Sequence, residues 1–312
     1  MNKESKIYIT GHAGLVGSAI VRTLRNRGYD NLVLFRSSEL DLRDQAAVKI
    51  FFASEKPEYV FHAAGRVGGI GANSQYKAQF FYDNALMAIN LIHAAYENGV
   101  TKLVNLGSSC IYPKFAEQPL KEEALLTGAL EPTNDAYAVA KIAAIKMCAF
   151  YNTQYGTTFL SAMPCNLYGP GDNFNLETSH VLPALIRKMH EAKLSGGPVN
   201  LWGDGSPLRE FLYVEDLAEA LLFLMEDVSS EQAGELINIG SGVDGPIKDL
   251  AALIARIVGY TGEIVWDSTK PNGTPRKLLD VSRMNALGWR AATSLEDGIR
   301  KTYDWYVKNA AG

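Results

Sequence analysis

Cysteine is scarce in this chain. There are three in 312 residues, an odd number with no Cys-x-x-Cys pair. That excludes a disulfide framework and fits free thiols in a reducing compartment. Histidine is scarce too, and no His, Cys or Asp cluster has metal-ligand spacing; His180 and His190 lie too far apart to share an ion from one helix. A basic excess is missing: the formal net charge is −4, which argues against a nucleic-acid surface. Long hydrophobic runs are missing as well. The longest, LAEALLFLM, is too short to span a bilayer and carries Glu219. The opening MNKESKIYITG lacks the basic, apolar and small-residue succession of a signal peptide. The expectation is a cytoplasmic protein without metal, membrane or nucleic-acid partner. Internal repeats and low-complexity segments are also absent.

What remains is an ordinary globular composition, 47% apolar and 21% charged, with enough chain for one large domain or two modest ones. The first half alternates β-rich runs with helical patterns. KIYIT, NLVLF, YVFHAA, KLVNLGSS and TFLSAMP read as strands. AGLVGSAIVRTLRNRG, DQAAVKIFFASE, residues 76–98 and residues 137–155 have helical periodicity. Such alternation predicts an α/β fold, a Rossmann-type doubly wound parallel sheet, because each parallel crossover needs a covering helix. After about residue 166 the composition turns rich in Gly, Pro and Asn and reads as loop. A helix near Val214 to Glu226 and the strand ELINIG then rejoin the sheet, and the tail from Lys248 holds two helical patterns. The expected division is a nucleotide-binding domain of 1–166 plus about 214–246. A smaller carboxyl-side substrate domain takes about 167–213 plus 247–312.

Gly11, Gly14 and Gly17 fall between the first strand and the first helix. There they permit a tight turn and let backbone N–H groups approach a pyrophosphate. The whole stretch Gly11, His12, Ala13, Gly14, Leu15, Val16 and Gly17 is the candidate phosphate cradle. Position after strand one of an alternating pattern is what raises it above a plain strand–helix turn. After the second strand comes FRSSELDLRD. Arg36 favours a ribose 2′-phosphate, hence NADP over NAD, while the acidic Glu39 and Asp41 pull the other way. Asp41 and Leu42 are expected beside the adenine.

Tyr137 and Lys141, in YAVAK, are four apart and share one helix face. A phenol with a pKa near ~10 is a poor proton donor at neutrality, and an adjacent ammonium is expected to lower it. Ser108 closes the preceding strand, at the edge where open parallel sheets bind ligands. Ser108, Tyr137 and Lys141 thus describe a carbonyl polarised by two hydroxyls and reduced by a nicotinamide. On residue type alone, Cys110 reads as a buried packing thiol and His180 as a capping residue.

These motifs, with RVGGIGAN, LGSSCIYPK, LEPTNDAYAVAKIAAIK, NLYGPGDNFN, SHVLPALIRKMHEA, WGDGSPLREF and KPNGTPRKLLDV, run almost end to end. Together they resemble the extended short-chain dehydrogenase/reductases that modify nucleotide sugars. The resemblance implies an NADPH-dependent enzyme acting on a GDP-linked 4-keto sugar, which it epimerises at C3 and C5 and then reduces at C4. It makes Cys110 the base and His180 the acid of the epimerisation, on opposite faces of the ring. It places Pro164, Cys165, Asn166, Leu167 and His180 beside the cofactor, and Lys188, Trp202, Arg209 and Asn272 at the GDP-sugar. Lys188 stands where arginine is common, Asn272 where aspartate is common, and Cys165 where a small hydroxyl residue is common. Sister enzymes of other GDP-sugars, differing in what C3 or C6 carries, share this machinery. The resemblance further implies a homodimer through a four-helix bundle of the helices near 76–98 and 137–155. Phe80, Phe81, Met87, Leu91 and Ile92 exceed what one sheet-facing stripe needs.

Overall fold

A computed structural model describes residues 1–270 and 272–311; Pro271 of the KPNGTPRK motif and Gly312 lie outside it. The first half folds as β1 (Ile7–Thr10), α1 (Leu15–Asn26), β2 (Leu32–Val33), α2 (Gln45–Glu55), β3 (Tyr59–His62), α3 (Ile70–Gln75), α4 (Lys77–Glu97), β4 (Lys102–Leu106), α5 (Asp135–Tyr155) and β5 (Phe159–Pro164). Then come β6 (Asn166–Tyr168), α6 (Val181–Ser195), β7 (Val199–Trp202), β8 (Leu208–Tyr213), α7 (Val214–Asp227), α8 (Ser230–Ala233) and β9 (Ile237–Ile239). The chain closes with β10 (Asp244–Pro246), α9 (Ile247–Val258), β11 (Ile264–Asp267), β12 (Arg276–Lys277), α10 (Ser282–Ala286) and α11 (Leu295–Asn309).

The main sheet runs β2-β1-β3-β4-β5-β9 with every pair parallel. The chain steps outward from β1 to β2 and returns to β3 on the other side of β1. That reversal leaves a crevice at the carboxyl ends of β1 and β3, where such sheets take ligands. Alternation sends Ile7 and Ile9 into one apolar layer with α1 and α7, and Tyr8 into the opposite layer with α2 and α4. Both faces being covered, the strands are apolar almost throughout.

A third apolar layer gathers Tyr168, Leu185, Ile186, Phe211, Leu250, Ile254 and Tyr306 from β6, α6, β8, α9 and α11. Here the loop expectation fails. SGGPVNLWGDGSPLRE holds β7 and the start of β8, and KPNGTPRK holds β12. The Gly and Pro residues only bound these short strands. β6, β10 and β12 all pair with β8, so β8 organises the rim of the cleft. β2 is also shorter than NLVLF, ending at Val33, so Arg36 stands three residues beyond the strand.

Candidate active site

The glycine turn has the geometry its sequence promises. Gly11 has φ +66°, and a Cβ there would lie 2.9 Å from the Ala64 backbone. A Cβ on Gly17 would lie 2.1 Å from the Gly11 carbonyl oxygen. Neither position accepts a side chain, so β1, β3 and α1 meet with bare backbone. The first turn of α1 has no side-chain cap and no acidic residue, which leaves its N–H groups for an anion. His12 Nδ1 is buried without a hydrogen-bond partner. A dinucleotide diphosphate fits this arrangement. The Arg36 side chain is exposed and carries no ion pair among the described residues, whereas Asp41 is claimed by Arg43 at 2.7 Å. The Arg36 guanidinium is thus unengaged among the described residues, while the Asp41 carboxylate is occupied and Glu39 Oε2 accepts from the Arg36 N–H at 2.7 Å. Leu42 is buried nearby.

Past β4, Ser108 caps a single turn of 3-10 helix, its Oγ accepting from the Cys110 N–H at 3.5 Å. Tyr137 lies on the first turns of α5, edge-on to Phe80 at 6.4 Å between ring centroids. Burial pushes the Tyr137 phenol far above its ordinary pKa, Cys110 adds to this, and the Ser108 hydroxyl beside it draws it back. A neutral phenol is therefore the resting state, as a proton donor requires.

The expected partnership of Tyr137 and Lys141 differs in detail. Lys141 Nζ donates to the Leu106 carbonyl at 2.8 Å and lies 5.8 Å from the Tyr137 ring centroid. The two do share a helix face, but the buried ammonium takes the nearest strand-end carbonyl. Burial brings Lys141 down to about 8, with Cys110 opposing.

Cys110 is buried and reduced, like Cys148 and Cys165. Burial raises its pKa. Lys277 is the strongest influence pulling it down, followed by the Ser108 hydroxyl and Lys141. His180 is the N-cap residue of α6 and makes no side-chain capping bond. The groups packed around its imidazole, then the Lys277 charge, disfavour its protonated form. The RVGGIGAN loop closes this side: the Cβ position of Gly69 is 3.6 Å from the Ser179 carbonyl oxygen. Buried polar atoms without partners, Asn134 Oδ1 at the start of α5 and Ser179 Oγ before His180, mark groups that the chain itself leaves unsatisfied.

Pro164, Cys165, Asn166 and Leu167 bridge β5 and β6. The Cys165 N–H donates to the Ile239 carbonyl at 3.0 Å and Asn166 Nδ2 to the Glu210 carbonyl at 2.7 Å. Farther out, Trp202 is 69% exposed with Lys270 Nζ 5.9 Å from its ring centroid. That suits an aromatic platform better than a buried lid. Arg209 is half-buried on β8 without an acidic partner among the described residues. Lys188 donates to the Asn200 carbonyl at 3.0 Å. Asn272 Oδ1 accepts from the Asp204 N–H at 2.9 Å, so it braces two loops. Lys277, in register with Arg209 across β12 and β8, is a site residue that sequence reading missed. A lysine ending a Pro- and Gly-rich loop reads as solvated, and only the nonlocal pairing of β12 turns it inward.

Comparison with known proteins agrees with this geometry. Residues 7–240 match the family model described as the NAD dependent epimerase/dehydratase family. The chain is 57% identical over 309 residues to GDP-L-fucose synthase 1 of Arabidopsis thaliana, covering 99% of this chain and 95% of that one. It is 52% identical over 316 residues to the GDP-L-fucose synthase of Escherichia coli strain K12, covering 99% and 98%. Among solved structures, the GDP-mannoheptose C4 reductase of Campylobacter jejuni with NADP bound superposes with a TM-score of 0.91 at 41% identity, covering 98% and 99%. With its glycine turn, its Ser108–Tyr137–Lys141 edge and these likenesses, the chain belongs to the NAD dependent epimerase/dehydratase family.

Proposed function

We propose that this chain converts GDP-4-keto-6-deoxy-D-mannose to GDP-L-fucose with NADPH, as a 3,5-epimerase and 4-reductase. The observation that carries the reading is one cleft edge bearing Ser108, Cys110, Tyr137 and Lys141, with His180 at the start of α6. NADPH, held by residues 11–17, Arg36, Asp41, Leu42, Lys141 and 164–167, supplies the hydride. The ketone oxygen at C4 sits between the Ser108 and Tyr137 hydroxyls. It acidifies the hydrogens on C3 and C5, and the same two donors hold the enolate oxygen that forms when either proton leaves. The Cys110 thiolate takes the proton from one face and the His180 imidazolium gives one to the other, so the carbon inverts, and the thiol's proton returns to the imidazole through solvent before the second inversion. After both inversions, Tyr137 gives its proton to the C4 oxygen as hydride arrives. Arg209, Lys188, Trp202 and Asn272 hold the GDP portion, the arginine fork suiting a diphosphate.

The functional units are a cofactor domain of 1–166 plus about 214–246 and a substrate domain of about 167–213 plus 247–312. The working form is a cytoplasmic homodimer. Its support is the apolar surface on α4 and α5, where Phe81, Tyr82, Ile89, Val139 and Phe150 are exposed. The residues singled out from periodicity divide differently: Phe80, Leu91 and Ile92 are buried within the subunit. A second copy of the same helix pair covers the exposed set. No helix among the described residues is long and apolar enough to cross a membrane.

The likenesses to a GDP-mannoheptose C4 reductase and to the GDP-L-colitose synthase of Yersinia pseudotuberculosis support a second reading, a heptose- or colitose-series GDP-sugar as substrate. The test is NADPH oxidation with the 6-deoxy-mannose precursor and its 3-deoxy and heptose analogues side by side. The proposal expects the first to turn over fastest and to yield the L-sugar. Faster turnover of either analogue would replace it.

A further inference from the structure

Two loops leave the carboxyl edge of the main sheet, and one buried carboxylate belongs to both. The first follows β2 and carries Asp41, Leu42 and Arg43; the second follows β3 and carries Ala64, Gly65 and Arg66. Helix α4 joins them. Asp83 lies on it with 8% of its surface exposed. Its Oδ1 accepts from Arg43 Nη1 at 3.0 Å and its Oδ2 from Arg66 Nη1 at 2.9 Å. The backbone of each loop is held by another residue of the same helix. Asn90, two turns on, donates to the Leu42 and Arg43 carbonyls at 2.9 and 3.0 Å. Asn84 accepts from the Arg66 N–H at 2.9 Å and donates to the Arg66 carbonyl at 3.0 Å. Arg43 is also bound within its own loop, its Nε and Nη2 donating to Asp41 at 2.9 and 2.7 Å. Both guanidiniums are half-exposed, so the buried carboxylate between them is what fixes their heads.

The second loop reaches the reacting end of the site. A Cβ on Gly65 would lie 3.2 Å from Asn84 Oδ1 and 3.7 Å from Lys141 Nζ. The Arg66 guanidinium carbon stands 5.6 Å from the Phe80 ring centroid, and Phe80 is the ring edge-on to Tyr137. Ala64 backs the Gly11 turn, and its N–H donates to Thr10 Oγ1 at 2.9 Å. Contacts therefore run without a break from Asp41 to Lys141, with the Asp83 charge in the middle.

We propose that Asp83, bonded at once to Arg43 and Arg66, is a positioning residue that makes the loop at the adenine end and the loop at the reacting end of NADPH one unit. Its carboxylate bridges two cations. Without that charge the same cations face each other and repel. The second loop must then be ordered during binding, which weakens the cofactor. This rests on the placement of the adenine at Asp41 and Leu42.

The test compares two ligands. Calorimetry measures binding of NADPH and of adenosine 2′,5′-bisphosphate, which carries the adenine end alone. The proteins are the parent, Asp83→Asn, Arg66→Met and the double variant, with circular dichroism as the check of folding. Asp83→Asn is expected to weaken NADPH by about tenfold and the bisphosphate by about threefold or less. Arg66→Met breaks the same link from the loop side and is expected to show the same pattern, so it decides the matter if Asp83→Asn does not fold. The double variant is expected to bind NADPH within about twofold of Asp83→Asn. Equal losses for the two ligands would overturn the proposal, because Asp83 would then serve the adenine loop alone. Unchanged binding of both, with only a lower melting temperature, would reduce Asp83 to a structural brace and overturn it. Additive losses in the double variant would overturn it too, since Arg66 would then act on the cofactor by itself. Arg36→Ala tests the underlying placement separately: bisphosphate binding as tight as the parent's in that variant would move the adenine elsewhere, whatever Asp83 does.

Discussion

Lys141 donates to the Leu106 carbonyl at 2.8 Å while its Nζ stands 5.8 Å from the ring centroid of Tyr137, four residues before it on α5. The lysine therefore locks the helix to the end of β4 and holds one positive charge at the sheet edge. The tyrosine keeps its proton. Replacing Tyr137 with Phe removes the proton donor and should slow C4 reduction by about 10²- to 10⁴-fold. NADPH affinity should stay near the parent value, read by fluorescence titration. The same pair sets an alkaline limit. Burial lowers Lys141 to about 8, so the free chain loses this charge as pH rises through that value. A kcat/KM for NADPH that declines above about pH 8, with the limb abolished in Lys141→Met, is the expected profile.

The Gly17 backbone makes its own prediction. A Cβ there would sit 2.1 Å from the Gly11 carbonyl oxygen, so Gly17→Ala must push the turn open. The remainder of α1 packs through Ile20, Val21 and Leu24 and is untouched. NADPH binding should weaken at least about tenfold, about 1.4 kcal/mol, while circular dichroism stays that of the parent.

In the proposed reading, Arg36 carries the cofactor choice. Its exposed guanidinium has no ion pair among the described residues. A charge-assisted bond to a 2′-phosphate contributes about 1.5–3 kcal/mol. Arg36→Ala should accordingly weaken NADPH by about ten- to a hundredfold and leave NADH nearly unchanged, a comparison that two binding titrations make directly.

The α4–α5 surface gives a test of assembly. Phe81 and Val139 are both more than two-fifths exposed and line one shallow depression with Lys77, Ala78, Asp135 and Ala136. Val139→Glu places an unpaired charge in that face. Sedimentation should then report a monomer in place of the dimer proposed for the parent, with the subunit's far-ultraviolet spectrum unchanged.

The legible parts of the sequence were those whose cause is local. Gly11 and Gly17 are readable because only a bare backbone makes that turn, and Tyr137 and Lys141 because a helix fixes which residues share a face. β7, β8 and β12 were hidden because each is a few residues long and exists by pairing with a distant segment. VNLW alternates buried and exposed as a strand should, but four residues between glycines give too short a signal to overrule the loop reading. Lys277 was hidden for the same reason. Arg36 was ambiguous because Glu39 and Asp41 follow it, and the Asp41–Arg43 pair forms through a neighbour that the strand-end rule does not consider. Phe80, Leu91 and Ile92 suggested an outer face because α4 packs against α2, α5 and the sheet at once, which one-stripe periodicity does not anticipate.

The central claim is that one ketone oxygen, held by Ser108 and Tyr137, serves two inversions driven by Cys110 and one reduction that does not need it. The most direct measurement is deuterium uptake from solvent at C3 and C5 of the GDP-sugar by Cys110→Ser, followed by mass spectrometry. The account predicts uptake slowed by about 10²-fold or more with NADPH affinity intact. Uptake at both carbons at the parent rate would contradict it.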